Sequence, residues 1–263
     1  RRPPRSTLFP YTTLFRSLKE SKAAVLAVTE TWLDCSFTDS EIHIHVPGYT
    51  VLRKDRDRHG GGTCLYIRSH LAFNHRSDLD NTNLEAVWTE IHLLKTKRII
   101  IGSIYRPPKQ TNFLDYLEDT LQRVRMNCDI FILGDTNICA LRKDTRIYKQ
   151  YLNVMKLFGL HQLIHDLTRV GATTSSCLDH ILCNNDKVCQ SGVIPIGLSD
   201  HSLIFCTRKV VRGQQNINNV TQIRSSKNYS KETFIDLLSK ADWSSVFNLD
   251  DVHMAWKYFK DLF

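Results

Sequence analysis

The sequence predicts an α/β sandwich in which two packed β-sheets are flanked by helices. Three observations predict it. Short apolar runs recur from residue 23 to 207 and read as strands covered on both faces. Only two or three stretches of helical period lie between those runs, which excludes a regular βαβ alternation. A hydrophobic fraction of 42% with 10% aromatics over 263 residues suffices for a substantial core. No apolar run approaches the length of a membrane span, which predicts a soluble protein without membrane contact.

The elements follow in order. Residues 1–17 repeat Thr-Leu-Phe at 7–9 and 13–15 and show no helical or strand period. An acid-free segment of this kind suits a basic arm or a transit peptide, but the run Ser6–Ser17 looks like translated sequencing adapter. It is expected to be a non-native leader, and a chain beginning at Arg1 rather than methionine is expected to be a fragment. Ala23–Val28 is a buried-type strand that hands Glu30 to a loop. Tyr49–Leu52 and Thr63–Ile67 are two more, joined by the charged, glycine-ended turn Arg53–Gly62. Glu85–Leu93 alternates as a half-buried strand does. Arg98–Tyr105 is a strand closed by Arg106-Pro-Pro108, where proline holds Arg106 extended.

Thr111 or Asn112 can cap a helix carrying Phe113, Leu114, Leu117, Leu121 and Val124 near a period of 3.6. Ile130–Leu133 is a continuous apolar strand that stops at Gly134 and delivers Asp135 and Asn137 into a loop. A second helix spans roughly 146–158, with Gly159 as its C-terminal cap. Cys177–Cys183 and Leu203–Thr207 are further strands. A main domain is therefore expected over 18–210. Residues 211–263 read as a polar linker followed by helices near 230–240 and 251–262. Their Trp243, Trp256, Tyr258 and Phe259 are too apolar for a free tail.

Charge and cysteine usage bound the function less tightly. Of the net +8, the four arginines of residues 1–17 supply +4, and residues 211–263 carry seven basic against six acidic groups. A nucleic-acid partner is compatible with that balance but is not demanded by it. The eight cysteines include no CxxC pair and no zinc spacing, so they read as buried free thiols of a reducing compartment.

Polar groups gather where the expected strands end: Glu30, Tyr105-Arg106, Asp135 with Asn137, Asp179-His180, and Ser199-Asp-His201 before the last strand. Each has an ordinary structural explanation. Glu30 can cap a helix, Tyr105 can belong to the core, Asp179-His180 can be a surface turn, and His201 can be a satisfied core histidine. Five such elements at strand ends of one sandwich are harder to dismiss. Acceptor-only carboxylates beside a carboxamide suit a site that handles a phosphate, a metal or an attacking water.

Together the phrases Thr29-Glu-Thr-Trp-Leu33, Ile104-Tyr-Arg-Pro-Pro108, Leu133-Gly-Asp-Thr-Asn137, Leu178-Asp-His-Ile181 and Leu198-Ser-Asp-His-Ser202 resemble the endonuclease/exonuclease/phosphatase superfamily. That superfamily includes DNase I and the apurinic/apyrimidinic endonucleases. Within it, the sequence is most similar to the endonuclease domain of non-LTR (LINE-type) retrotransposons. The resemblance covers about 24–210 and implies a DNase I-like, four-layer α/β sandwich of two mixed sheets. It implies metal-dependent phosphodiester hydrolysis that nicks target DNA, with Mg2+ (or Mn2+) as cofactor. By resemblance, Glu30 binds the metal and Asp200 makes an outer metal or water contact. Asp135 orients or deprotonates the attacking water, and Asn137 and Tyr105 hydrogen-bond the phosphate. His201 contacts the phosphate and is held by Asp179. Arg106, Thr168 and Ser199 are expected to line the substrate. The implied partners are DNA, the element RNA and a reverse transcriptase domain, and the implied place of action is the nucleus.

One departure matters. The family's first strand carries a metal-binding asparagine, and residues 1–22 contain no asparagine. The resemblance therefore implies a missing first strand and impaired activity. Two other functions compete: a phosphatase or phospholipase of the same superfamily, and a catalytically dead remnant that binds nucleic acid.

Overall fold

A computed structural model describes residues 23–40, 46–57, 59–93, 96–124, 127–185, 188–197, 199–209 and 230–262. The chain divides into two compact units, Arg1–Gly213 and Gln214–Phe263. The leader expected at 1–17 and the linker expected at 213–219 lie outside the described residues.

The larger unit is built on a six-stranded sheet. Its strands are β4 (Ala72–His75), β5 (Glu85–His92), β6 (Arg98–Tyr105), β7 (Cys128–Asp135), β8 (His161–Gln162) and β11 (Asp179–Cys183), in the order β4-β5-β6-β7-β11-β8. Only β6 and β7 run parallel, joined by helix α1 (Phe113–Gln122); the other neighbours are antiparallel. Against one face lies a three-stranded sheet of β1 (Val25–Thr29), β3 (Thr63–Arg68) and β2 (Tyr49–Lys54), in the order β1-β3-β2. Beside it on that face is the ribbon of β12 (Val188–Ile194) and β13 (Leu203–Arg208). A small hairpin, β9 (Arg169–Val170) with β10 (Ser175–Ser176), completes the strands.

Side-chain alternation assigns the two faces of the large sheet. Trp88, Ile100, Ile104, Ile130, Ile132 and Leu182 point outward. There they are covered by Phe113, Leu117 and Leu121 of α1 and by Tyr151, Val154 and Met155 of α2 (Arg146–Leu157). Val87, Ile91, Ile99, Ile101, Phe131 and Ile181 point inward onto Leu65 and Ile67. Because β5 is covered on both sides, all but its end residues are buried, so the half-buried reading of Glu85–Leu93 is corrected. Asn112 stands at the start of α1 but its side chain makes no capping bond, whereas Thr145 caps α2. Gly159 ends α2 with φ +64°, as its position predicts.

In the second layer β1 packs over β6 and β7, and β13 packs over β11. The two are not paired, and each has one edge without a strand partner among the described residues. Every residue of β1 is half-buried, as are Leu133 of β7 and Ile204 and Cys206 of β13. The buried ion pair of Arg208 with Asp129 ties β13 to β7 at the end remote from Asp135. Where the resemblance expects a first strand, the chain lies outside the described residues.

Burial of the thiols is mixed among the described residues, with Cys139 and Cys206 half-buried. Cys64, Cys128, Cys177 and Cys183 are buried, as the sequence predicts, whereas Cys35 is exposed. Burial pushes the Cys64 and Cys177 thiols up to about 12, so they are chemically quiet. In the smaller unit, α3 (Lys231–Lys240), α4 (Ser244–Phe247) and α5 (Val252–Leu262) form, with Ser230 capping α3 and Trp256 stacked on Phe259. No helix among the described residues is long and apolar enough to cross a membrane.

Candidate active site

The site begins as a row across three strands. Tyr105, the last residue of β6, lies opposite Asp135, the last of β7, and Asp135 lies opposite Asp179, the first of β11. All three have the parity of the inward-facing residues, so their side chains point between the sheets at one end of the sandwich. Close backbone approach sets the row. Gly134 has φ +144°, and a Cβ there would sit 1.9 Å from the Ile104 carbonyl oxygen, so no other residue fits. β7 runs on through Gly134 to Asp135, so the glycine lies within the strand rather than ending it.

Glu30 reaches the same place from the second sheet. The Tyr105 hydroxyl donates to its carboxylate at 2.5 Å, and the Trp32 indole N–H lies 3.4 Å from the other oxygen. Burial and the neighbouring Glu30 raise the Tyr105 pKa, so this phenol stays protonated and remains a donor. The loop at 30–32 is tied to the glycine turn through backbone bonds from Thr31 to Gly62 and from Trp32 to Gly61. Glu85 holds that turn from below, accepting from the Gly62 N–H and from Arg56.

Asp135, Asp179 and His201 form a cluster whose potential ligand atoms all lie within 4.8 Å of one another. Asp179 accepts from the His201 Nδ1–H at 2.8 Å, since an ionised carboxylate has no proton to donate. Burial lowers the His201 pKa, and the hydrogen bond and charge of Asp179 more than offset this, so its net shift is upward. Burial first, and then the charge of Asp179, push Asp135 up to about 7. Asn137, at φ +48°, is locked to Asp135 through its own N–H and donates its carboxamide to the Arg106 carbonyl at 2.8 Å.

The remaining expected residues are near the site but differ in what they touch. The Arg106 guanidinium is buried, and it donates to the carbonyls of Thr136, Asn137 and Gln110. It braces the loop from within, so the expected contact with a DNA backbone is corrected. Thr168 is also fully buried, with its hydroxyl accepting from the Leu178 and Asp179 N–H groups. It supports the start of β11 rather than lining an open surface. Ser199 accepts from the His201 N–H and so shapes that loop. Asp200 is half-exposed and paired with Arg169 at 2.7 Å, outside the Asp135–Asp179–His201 cluster. Arg169 also bridges to His201 through the backbone. Its place beside the cluster was not legible in sequence, because the contact depends on a two-residue strand.

A second network supports the row from its outer face. His180, buried next to Asp179, points toward α2 and meets Tyr151 Oη at 2.8 Å and Thr136 Oγ1 at 3.2 Å through Nδ1. Its Nε2 faces the Cys177 carbonyl at 3.3 Å, an acceptor, so the proton sits on Nε2 and Nδ1 accepts. Burial pulls the His180 pKa down to about 4, which keeps the ring neutral.

Residues 1–201, including the expected leader, match the model of the Endonuclease/Exonuclease/phosphatase family. The chain belongs to this family. No curated protein sequence matches it. Among solved structures, the endonuclease domain of TRAS1, a telomere-specific non-LTR retrotransposon, is similar to this family member with a TM-score of 0.62. That likeness has 18% identity and covers 79% of this chain and 95% of TRAS1's. An AP endonuclease from Archaeoglobus fulgidus has a TM-score of 0.58 at 15% identity, covering 75% of this chain and 93% of its own. A 3' phosphatase from Neisseria bound to product DNA hairpin has a TM-score of 0.53 at 14% identity, covering 77% and 96%. These likenesses establish the DNase I-like α/β sandwich of this endonuclease/exonuclease/phosphatase family member, a family that hydrolyses phosphodiester bonds.

Proposed function

We propose that the chain is a divalent-metal-dependent DNA endonuclease that nicks target DNA for insertion of a non-LTR retrotransposon. The observation that carries the reading is the convergence at one sandwich end of Glu30 from one sheet with Tyr105, Asp135 and Asp179 from the other, closed by His201. The TRAS1 likeness supports the retrotransposon setting. In that setting DNA is the substrate, the element RNA and a reverse transcriptase domain are partners, and the nucleus is the place of action.

The donor set fits a hard cation. Its ligands are carboxylate oxygens, and the repulsion between Asp135 and Asp179 is relieved by added positive charge. Glu30 would hold Mg2+ or Mn2+, with Asp200 as an outer contact; the ion, when bound, polarises a phosphate oxygen. The protein's own groups do the rest. Asp135, with its pKa raised to about 7, accepts a proton from the attacking water near neutral pH. Asn137 and Arg106 hold the Asp135 loop in place. His201, whose protonated form Asp179 favours, donates to the phosphate as its charge grows. Tyr105 fixes the Glu30 carboxylate.

The test is nicking of supercoiled plasmid in Mg2+. Weak nicking, in keeping with the impaired activity expected of this chain, that is lost on chelation and in the Asp135→Asn and His201→Ala variants is expected. Release of phosphate from monoesters or phospholipid headgroups with the plasmid left intact would overturn the reading in favour of a phosphatase.

A further inference from the structure

Three non-glycine residues have positive φ among the described residues: Glu30 at +54°, Trp32 at +56° and Asn137 at +48°. All three stand at one end of the sandwich. Asparagine tolerates this region, but for glutamate and tryptophan it is costly, because Cβ crowds the following carbonyl. Backbone strain of this kind collects where a side chain must be aimed at a particular place. Glu30 and Asn137 already have such a place in the proposed site. Trp32 does not.

Its surroundings say where it is aimed. The Trp32 backbone N–H is held by the Gly61 carbonyl at 3.0 Å, and its indole N–H points at the Glu30 carboxylate. The far edge of the ring lies toward Gly60, where an added Cβ would stand 4.0 Å from Cζ2. The polar tip is thus directed at the proposed metal ligand, while 39% of the residue remains in solvent. A large aromatic kept strained, oriented and exposed contributes little to the core. Folding alone would favour glycine at this φ.

We propose that Trp32 is a substrate-contacting residue, its exposed indole face packing against the nucleoside that flanks the phosphate bound at the site. The inference rests on the DNA reading above. Aromatic faces bind bases and sugars without regard to sequence, so Trp32 adds affinity and position rather than sequence preference.

The test separates this role from a structural one. In an Asp135→Asn background, which silences cleavage, binding of a short labelled DNA duplex is measured by anisotropy, with Trp32→Gly and Trp32→Phe added in turn. Trp32→Gly is expected to weaken binding by about 5- to 100-fold while leaving the melting temperature unchanged or raised, because glycine relieves the strain. Trp32→Phe is expected to keep affinity within a few-fold of the parent. Equal binding by the parent and the glycine variant overturns the inference and leaves the DNA reading standing. A fall in melting temperature with Trp32→Gly that parallels the loss of binding shows a structural residue and also overturns it. A parent that binds no DNA overturns the DNA reading, and the inference with it.

Discussion

Replacing Asp135 by asparagine tests the electrostatics of the site without reference to catalysis. The Asp135 carboxyl titrates ordinarily at 3.8, and in the folded chain burial and the Asp179 charge move it to about 7. Between those values the folded state holds a proton that the unfolded chain has lost. Stability therefore falls as pH rises through this interval, at about 1.4 kcal/mol per pH unit. Integrated, the loss reaches at most roughly 4 kcal/mol by pH 7. In Asp135→Asn the titrating group is gone. The variant should match the wild type near pH 4 and exceed it progressively to pH 7, then by a constant margin. Urea denaturation from pH 4 to 8 with chelator present, followed through the emission of the buried Trp88, measures the difference. Added Mg2+ should narrow it, since a cation favours the ionised carboxylate. A wild-type-minus-variant difference that stays flat from pH 4 to 8, or that grows in the opposite sense, refutes the argument.

Other perturbations probe separate parts of the site. Asp179→Asn removes the hydrogen bond and the charge that do most to raise the His201 pKa, leaving burial opposed only by the charges of Asp135 and Asp200, so the His201 midpoint should fall in an NMR titration; an unmoved midpoint contradicts the pairing. Glu30→Gln should weaken Mn2+ binding by at least about tenfold in calorimetry, from loss of a charged ligand; unchanged affinity would place the metal elsewhere. Gly134→Ala puts a methyl 1.9 Å from a backbone oxygen and should cost more than about 4 kcal/mol or prevent folding; a soluble variant with native melting temperature would show that β6 and β7 can separate. Tyr151→Phe takes one donor from His180, but the Thr136 hydroxyl can turn to the same nitrogen, so the expected cost is about 1 kcal/mol. A loss above about 3 kcal/mol would mean that Thr136 cannot substitute.

The parts of this protein written in local pattern were legible without coordinates. Apolar runs at 23–28, 63–67, 98–105 and 130–133 became β1, β3, β6 and β7, and the nearly continuous burial of β3, β6 and β7 is why their runs are almost wholly apolar. The helical period at 113–121 and 147–155, with Gly159 ending the second helix, encoded α1 and α2. Motif phrases brought forward Glu30, Tyr105, Asp135, Asn137, Asp179 and His201. Strands without an apolar run escaped the reading. β4, β8, β9 and β10 are two to four residues long, and β12 includes Gln190, Ser191 and Gly192. Such segments become strands through their partners rather than through their own composition.

Only the tertiary structure decided which polar residues face the site and which hold it up. Arg106 stands beside Tyr105 in sequence and Thr168 is expected by resemblance to line the substrate, yet both turn into the protein and satisfy backbone groups. Asp179 and His180 are neighbours, and the two-residue period of a strand sends them to opposite faces, one into the site and the other to Tyr151. Register also set the Tyr105–Asp135–Asp179 row, which joins residues up to 74 positions apart in the numbering. Trp32 stood in the sequence only as part of the phrase Thr29–Leu33, with no role of its own. Its exposure and its positive φ are properties of a backbone held in place by Gly61, and composition does not encode them.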